Sequence, residues 1–166
     1  KKNYKLKKGM CVIADKSGIL GLGGVIGGTK TSTELDTKNI LLESAYFLPA
    51  SIRKTARDLA IDTDAKYRFE RGIDPNSVIE GLEIATELIL KICGGQASKF
   101  VIAGKNSPKK NIIKFKIEKF QNLIGIPITI NEAQKILLSL EFKCKKNKKE
   151  LIVEVPSWRP DIVQDV

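Results

Sequence analysis

Histidine is absent from all 166 residues. Chemistry confined to this chain therefore cannot use an imidazole base, which excludes Ser-His-Asp and Cys-His arrangements. Cysteine is scarce: Cys11, Cys93 and Cys144 are far apart, odd in number and form no CxxC pair. That argues against a disulfide framework or a zinc site and for a reducing compartment, with each thiol a small buried or half-buried side chain. No apolar run approaches the roughly 18 residues that signal a membrane span, and no charged-then-apolar leader is present. Nothing points to export or to a membrane, and a cytoplasmic setting is expected.

Basic charge is plentiful. The chain carries 29 Lys and Arg against 19 Asp and Glu, a net charge of +10. That balance favours a polyanionic partner such as RNA. An AT-rich genome that substitutes Lys for Arg on ordinary surfaces would give the same excess, so charge alone does not establish RNA binding. The length suffices for a real core and suits one domain or two small ones.

The pattern predicts mixed secondary structure. After a lysine-rich opening strand, Met10 to Ala14 reads as a strand and Asp15-Lys16-Ser17-Gly18 as a turn, leading into a glycine-rich segment. Residues 29–38 are polar and loop-like. Asn39 to Phe47 has the length and apolar density of a strand buried on both faces. Pro49 can open a helix whose apolar stripe is Ile52, Ala56 and Leu59. Asp74 and Pro75 are a good N-cap and first residue for a second helix, with Val78, Leu82, Ala85, Ile89 and Ile92 on one face and Gly94-Gly95 as the stop. Lys99 to Lys110 reads as a return strand and a linker.

Composition then shifts. Ile112 to Phe115 is a strand, Ile117 to Ile124 a short helix closed by Gly125, and Asn131 with Gln134 a capping-box pattern for a helix to about Leu140. Phe142 to Lys145 and Leu151 to Val155 flank a lysine-rich turn as a hairpin. Strand, two helices and a hairpin make a winged-helix-like arrangement. The fold class expected is α+β, a strand-rich first part with helices followed by a second small domain, divided into 1–108 and 109–166.

Three segments hold the candidate chemistry. Gly21-Leu22-Gly23-Gly24-Val25-Ile26-Gly27-Gly28 invites a nucleotide reading that fails: a dinucleotide fingerprint needs glycine at 26, and a Walker loop needs Gly-Lys-Ser/Thr, whereas Thr29 separates Gly28 from Lys30. Glycines there allow tight turns and close backbone packing. Glu43, among Ile40, Leu41, Leu42, Ala45 and Phe47, either faces solvent or is buried with a partner; on these residues alone the surface or structurally paired carboxylate is the simpler reading. Thr63-Asp64-Ala65-Lys66-Tyr67-Arg68-Phe69-Glu70-Arg71-Gly72-Ile73-Asp74-Pro75 mixes charge, aromatics and glycine without one period. By itself it is equally an ordinary turn before a helix. Lysines 143, 145, 146, 148 and 149 read as a solvated turn or as a phosphate-contacting wing.

With Pro156-Ser157-Trp158-Arg159-Pro160-Asp161, these segments resemble the bacterial phenylalanyl-tRNA synthetase β subunit, specifically the C-terminal part of its B3/B4 editing module and its B5 domain. The resemblance spans nearly the whole chain. It implies that the glycine loop, with Gly24, Gly27 and Gly28, walls an editing pocket with room for an aromatic ring and the 3′-terminal adenosine. It implies that Glu43 recognises the tyrosine hydroxyl of Tyr-tRNA(Phe), while Thr63 and Ala65 shape the pocket. Arg68, Glu70, Arg71 and Asp74 are expected to fix the loop by ion pairing and capping. Asp161 falls on the first carboxylate of a Mg²⁺ site whose other ligands would lie past Val166. In the complete synthetase the resemblance implies ATP and Mg²⁺ as cofactors, tRNA(Phe) as substrate and an α subunit as partner in an α2β2 heterotetramer. The chain reads as cut at both ends, so as an isolated fragment it is expected to be inactive. The alternative is a non-catalytic RNA- or protein-docking module, which an exposed Glu43 and no cleft beside Gly27 and Ala65 would favour.

Overall fold

The computed structural model describes residues 2–104 and 110–163. Among these residues, two small antiparallel sheets and five helices make an α+β chain, as expected. They belong to two compact units, one up to Ile102 apart from Asp74–Asn76, the other from Ala103 on with that short piece. The expected division at 108/109 and the linker Lys105–Pro108 lie outside the described residues, as does the chain end at Asp165-Val166.

In the first unit β1 (Val12–Asp15), β2 (Gly18–Leu22) and β3 (Ile26–Gly27) form a meander in that order. The Asp15 carboxylate accepts from the Ser17 amide and hydroxyl and fixes the first turn. Helices α1 (Pro49–Leu59), α2 (Asp64–Phe69) and α3 (Ser77–Cys93) follow. Proline opens α1, its fixed φ suiting a first turn that needs no amide there. The core joins Leu22 and Val25 of the meander to Ile52 and Ala56 of α1 and to Ile61, with Tyr4, Leu6, Phe47 and Phe69 packed around them.

Several expectations need correction here. Asn39–Phe47 forms no strand: it runs without a ladder partner, and Leu41 is 92% exposed. Apolar density alone does not make a strand when no neighbour pairs with it. The opening residues 2–7 likewise form no strand, nor do 99–104. The first unit is therefore less strand-rich than expected. Helix α3 starts at Ser77, and just before it the Asp74 carboxylate accepts from the Asn76 amide. The Gly94 amide donates to the Leu90 carbonyl at a positive φ, closing the helix where the glycines predict.

In the second unit β4 (Ile112–Lys116) runs into α4 (Ile117–Ile124), which Gly125 ends in a left-handed conformation. Helix α5 (Ile130–Ser139) precedes the hairpin β5 (Lys143–Asn147) and β6 (Glu150–Glu154). The capping box of α5 is Thr129 with Glu132, two residues before the Asn131–Gln134 pair expected from sequence. The sheet order is β4-β6-β5. Inward residues Ile113, Phe115, Leu151, Val153 and Cys144 meet Ala133 and Leu137 of α5 and Ile117 of α4. The Phe115 ring also lies 5.7 Å from that of Phe120.

Candidate functional site

The glycine turn between β2 and β3 is shaped by what its residues lack. A side chain on Gly23 or Gly24 would strike the Phe47 ring, and Gly24 has a φ of +66° that disfavours other residues. The missing side chains let Phe47 seat against the turn, where its ring meets Phe69 edge-on with centroids 5.3 Å apart. This anchors one end of the unpaired Asn39–Phe47 segment. The Ser44 hydroxyl ties it to α3 by donating to the Val78 carbonyl at 2.7 Å. Glu43 is thus held between the glycine turn and α3 by its neighbours, without a sheet. No helix N-terminus follows the glycines, so they make no phosphate loop.

Helix α2 is pinned to the same turn. The Thr63 hydroxyl donates to the Val25 carbonyl at 2.7 Å and accepts from the Lys66 amide at 3.1 Å, acting as N-cap and cross-link together. Around it, Glu70 meets Lys66 and Arg71, Arg53 donates to the Glu70 carbonyl, and the Arg71 guanidinium stacks 3.7 Å from the Tyr67 ring centre. The Arg68 side chain takes no part in this network among the described residues.

These anchors enclose a cavity of about 990 Å³ lined by the glycine turn, residues of the 31–47 segment, and one face each of α2 and α3. Gly24, Gly27, Glu43 and Ala65 all line it. A side chain on Gly27 would meet nothing within 4 Å, so its absence leaves that wall open. Thr63 and Gly28 do not line the cavity. Gly28 instead sits where a side chain would run into the Leu20 backbone, and its amide donates to the Leu20 carbonyl at 2.7 Å.

Glu43 is exposed yet lies in the cavity wall, and it has no hydrogen-bond or ion-pair partner among the described residues. Desolvation by its apolar neighbours pushes its carboxyl above the usual carboxylate range. The arrangement offers one unengaged acceptor in an apolar, glycine-walled cleft. Sequence reasoning missed the hydroxyl-rich side of the cavity, formed by Thr31, Ser32, Thr33 and Thr37. The polar composition of 29–38 was its only signal, and that is also the composition of a plain loop.

Asp161 is paired with Arg159. Its two oxygens accept from Arg159 at 2.9 and 2.8 Å, which holds its carboxyl below the usual range. Among the described residues no three His, Cys, Asp or Glu side chains gather to hold an ion. By themselves these residues do not make a magnesium site, which needs several oxygens in octahedral array. Nor is any helix among them long and apolar enough to cross a membrane.

The B3/4 domain family model matches residues 1–94. The chain belongs to the B3/4 domain family. A tRNA synthetase B5 domain model matches residues 113–166. Phenylalanine–tRNA ligase β subunits match across both parts: that of Bartonella henselae is 41% identical over 98% of this chain and 20% of the relative. That of Mesorhizobium japonicum is 39% identical over 97% and 20%, and that of Ruegeria pomeroyi 42% identical over 97% and 20%. The resemblance drawn from the glycine loop, Glu43 and the 63–75 stretch is borne out. The chain spans about a fifth of the length of the curated relatives it matches.

Proposed function

We propose that the first part of this chain is the C-terminal part of the editing module of a phenylalanine–tRNA ligase β subunit, and that its cleft receives the 3′ end of Tyr-tRNA(Phe) for hydrolysis. The observation that carries the reading is Glu43: an unengaged, partly desolvated carboxyl facing a glycine-walled cavity. A phenylalanine-activating pocket rejects an isostere with one added hydroxyl by only about 100-fold, so a second, hydrolytic sieve is needed. A carboxyl that lacks a partner gains a hydrogen bond from the phenol of tyrosine and nothing from phenylalanine. The cavity, about 990 Å³, is at the upper end of the ~300–1,000 Å³ common for small-ligand sites and suits an aminoacyl group with its adenosine.

The reaction is attack of water on the ester carbonyl, with the terminal ribose hydroxyl leaving. This chain itself supplies no imidazole to take the proton. The water is positioned by polar groups and backbone, aided by the ribose of the substrate. Ala65 and Gly27 leave room for the ring, Gly24 shapes the turn, and Thr63 acts as a positioning residue through its bond to Val25. The parent reaction, ATP- and Mg²⁺-dependent charging of tRNA(Phe), belongs to the complete ligase with its α subunit in the cytoplasm. Asp161 would contribute one oxygen to a site completed elsewhere in that enzyme.

The test is deacylation of preformed Tyr-tRNA(Phe) by the complete ligase, native against Glu43→Ala. Hydrolysis lost in the variant with Phe charging intact supports the reading; equal hydrolysis by both overturns the role of Glu43. No hydrolysis by either favours the second reading, a docking module, for which the exposure of Glu43 is the supporting observation.

A further inference from the structure

The lysine-rich stretch 143–149 divides by strand geometry into two groups with different roles. In the second sheet, β6 pairs with β4 on one side and with β5 on the other. Because successive residues alternate faces, the register fixes what lies opposite what. Ile113, Phe115, Leu151, Val153 and Cys144 point to the helices. The other face then carries three cross-sheet rows: Ile112, Glu154 and Lys143; Lys114, Ile152 and Lys145; Lys116, Glu150 and Asn147. Lys148 and Lys149 form the turn beside the third row, and with Lys116 they line a groove that also holds Glu118, Glu150 and Ile130.

The acidic residues of this face are unevenly distributed. Glu154 is engaged by Lys110 at 3.1 Å and approached by Lys143 at 3.9 Å. Glu150 accepts from Asn147. Lys146 leaves this face altogether and bonds to Asn131 of α5. Lys114, Lys116, Lys145, Lys148 and Lys149 are exposed, and their side chains have no ion pair or hydrogen bond among the described residues. With Glu150 and Glu154 as the only acidic residues in these rows, the face and its turn are net positive on a rigid ladder, with strands about 4.8 Å apart. None of the strand residues in these rows is aromatic.

We propose that this outer face docks the phosphate backbone of tRNA. The proposal rests on the reading of the parent as a tRNA ligase. Lysine suits the task as an unpaired point charge for phosphate. The lack of aromatics removes the stacking platform by which single-stranded bases are held, so the contact is to backbone and carries no sequence preference. Lysines on the edge strands β4 and β5 also deter edge-to-edge pairing; that task gives the tRNA no reason to respond to their removal.

The experiment is the salt dependence of tRNA binding to the complete ligase. Native enzyme is compared with Lys114→Ala/Lys116→Ala/Lys145→Ala and with Lys146→Ala as control. Each lost phosphate contact removes about 0.7–0.9 from the slope of log affinity against log salt. The triple variant is expected to lower the slope by about 2, with Phe-dependent ATP–pyrophosphate exchange unchanged, and Lys146→Ala to leave the slope alone. A tRNA slope unaltered in the triple variant overturns the proposal and leaves these lysines as guards of the sheet edges. An unaltered tRNA slope with weakened binding of a duplex DNA of equal length overturns it in favour of DNA. Native ligase that does not bind tRNA at all would instead overturn the functional reading beneath it.

Discussion

The Thr63 hydroxyl donates to the Val25 carbonyl at 2.7 Å while accepting from the Lys66 amide, so one oxygen caps α2 and fastens it to the glycine turn. Two walls of the cleft are thereby set by a single side chain that does not line it.

Thr63→Val keeps the shape and loses both bonds. Loss of a cap costs about 1 kcal/mol, and an unsatisfied half-buried carbonyl adds roughly 1–3 kcal/mol. Thr63→Ser is expected to retain most of both. Denaturant unfolding of the two variants checks this, and a Val variant as stable as the Ser variant would remove the cross-link from the argument.

Gly27 and Gly28 are adjacent but should respond differently to alanine. Gly28→Ala drives a methyl into the Leu20 backbone and breaks the β2–β3 junction, with an expected cost of about 1–3 kcal/mol. Gly27→Ala meets open space and should change stability by less than about 0.5 kcal/mol. Its methyl narrows the cleft instead. Melting of both variants, paired with Tyr-tRNA(Phe) deacylation by the complete ligase, should show Gly28→Ala unstable and Gly27→Ala stable but slower at editing.

Glu43 makes stability depend on pH with a definite sign. Burial raises its folded pKa above the unfolded value, so the native state holds the proton more tightly. Its effect on stability is favourable at low pH and is lost as pH rises from the ordinary carboxylate range through the raised value. Glu43→Gln should abolish that fall, matching native protein in acid and exceeding it slightly near neutrality. Thermal melts across pH 3–8 in steps of about one unit, read against the linkage slope, would show parallel curves if Glu43 were not desolvated.

The capping box of α5 titrates in the opposite sense. Bonds from the Thr129 amide and hydroxyl hold the Glu132 carboxyl below its usual range. Stability from this group is present above the unfolded carboxylate pKa and disappears as pH falls through the depressed one. Glu132→Gln should flatten the acid limb of unfolding of the second unit, and an unchanged acid limb would assign that limb to other carboxylates.

Local signals were legible in the sequence where one residue type decides the outcome. Pro49 opens α1, Gly125 closes α4, and the apolar alternation of β4 and β6 sets the second core. The α5 cap was misplaced because two overlapping patterns, Thr129 with Glu132 and Asn131 with Gln134, fit the same spacing, and only folding selects the first. Asn39–Phe47 was misread because an apolar run does not say whether a partner strand exists. The cleft was legible only through family resemblance. Phe47 against Gly23, Ser44 against Val78 and Thr63 against Val25 are all contacts far apart in sequence that no local period encodes.

The order β4-β6-β5 also governs how the second unit comes into being on the ribosome. Both outer strands are made before the middle one, and each pairs with β6 alone. A nascent chain that has not yet delivered Glu150–Glu154 holds two strands with nothing to join them, so the sheet closes in one late event. A stop codon or stall before Leu151 would cost the cell the whole sheet, whereas one placed just after Val155 would leave every ladder bond in place.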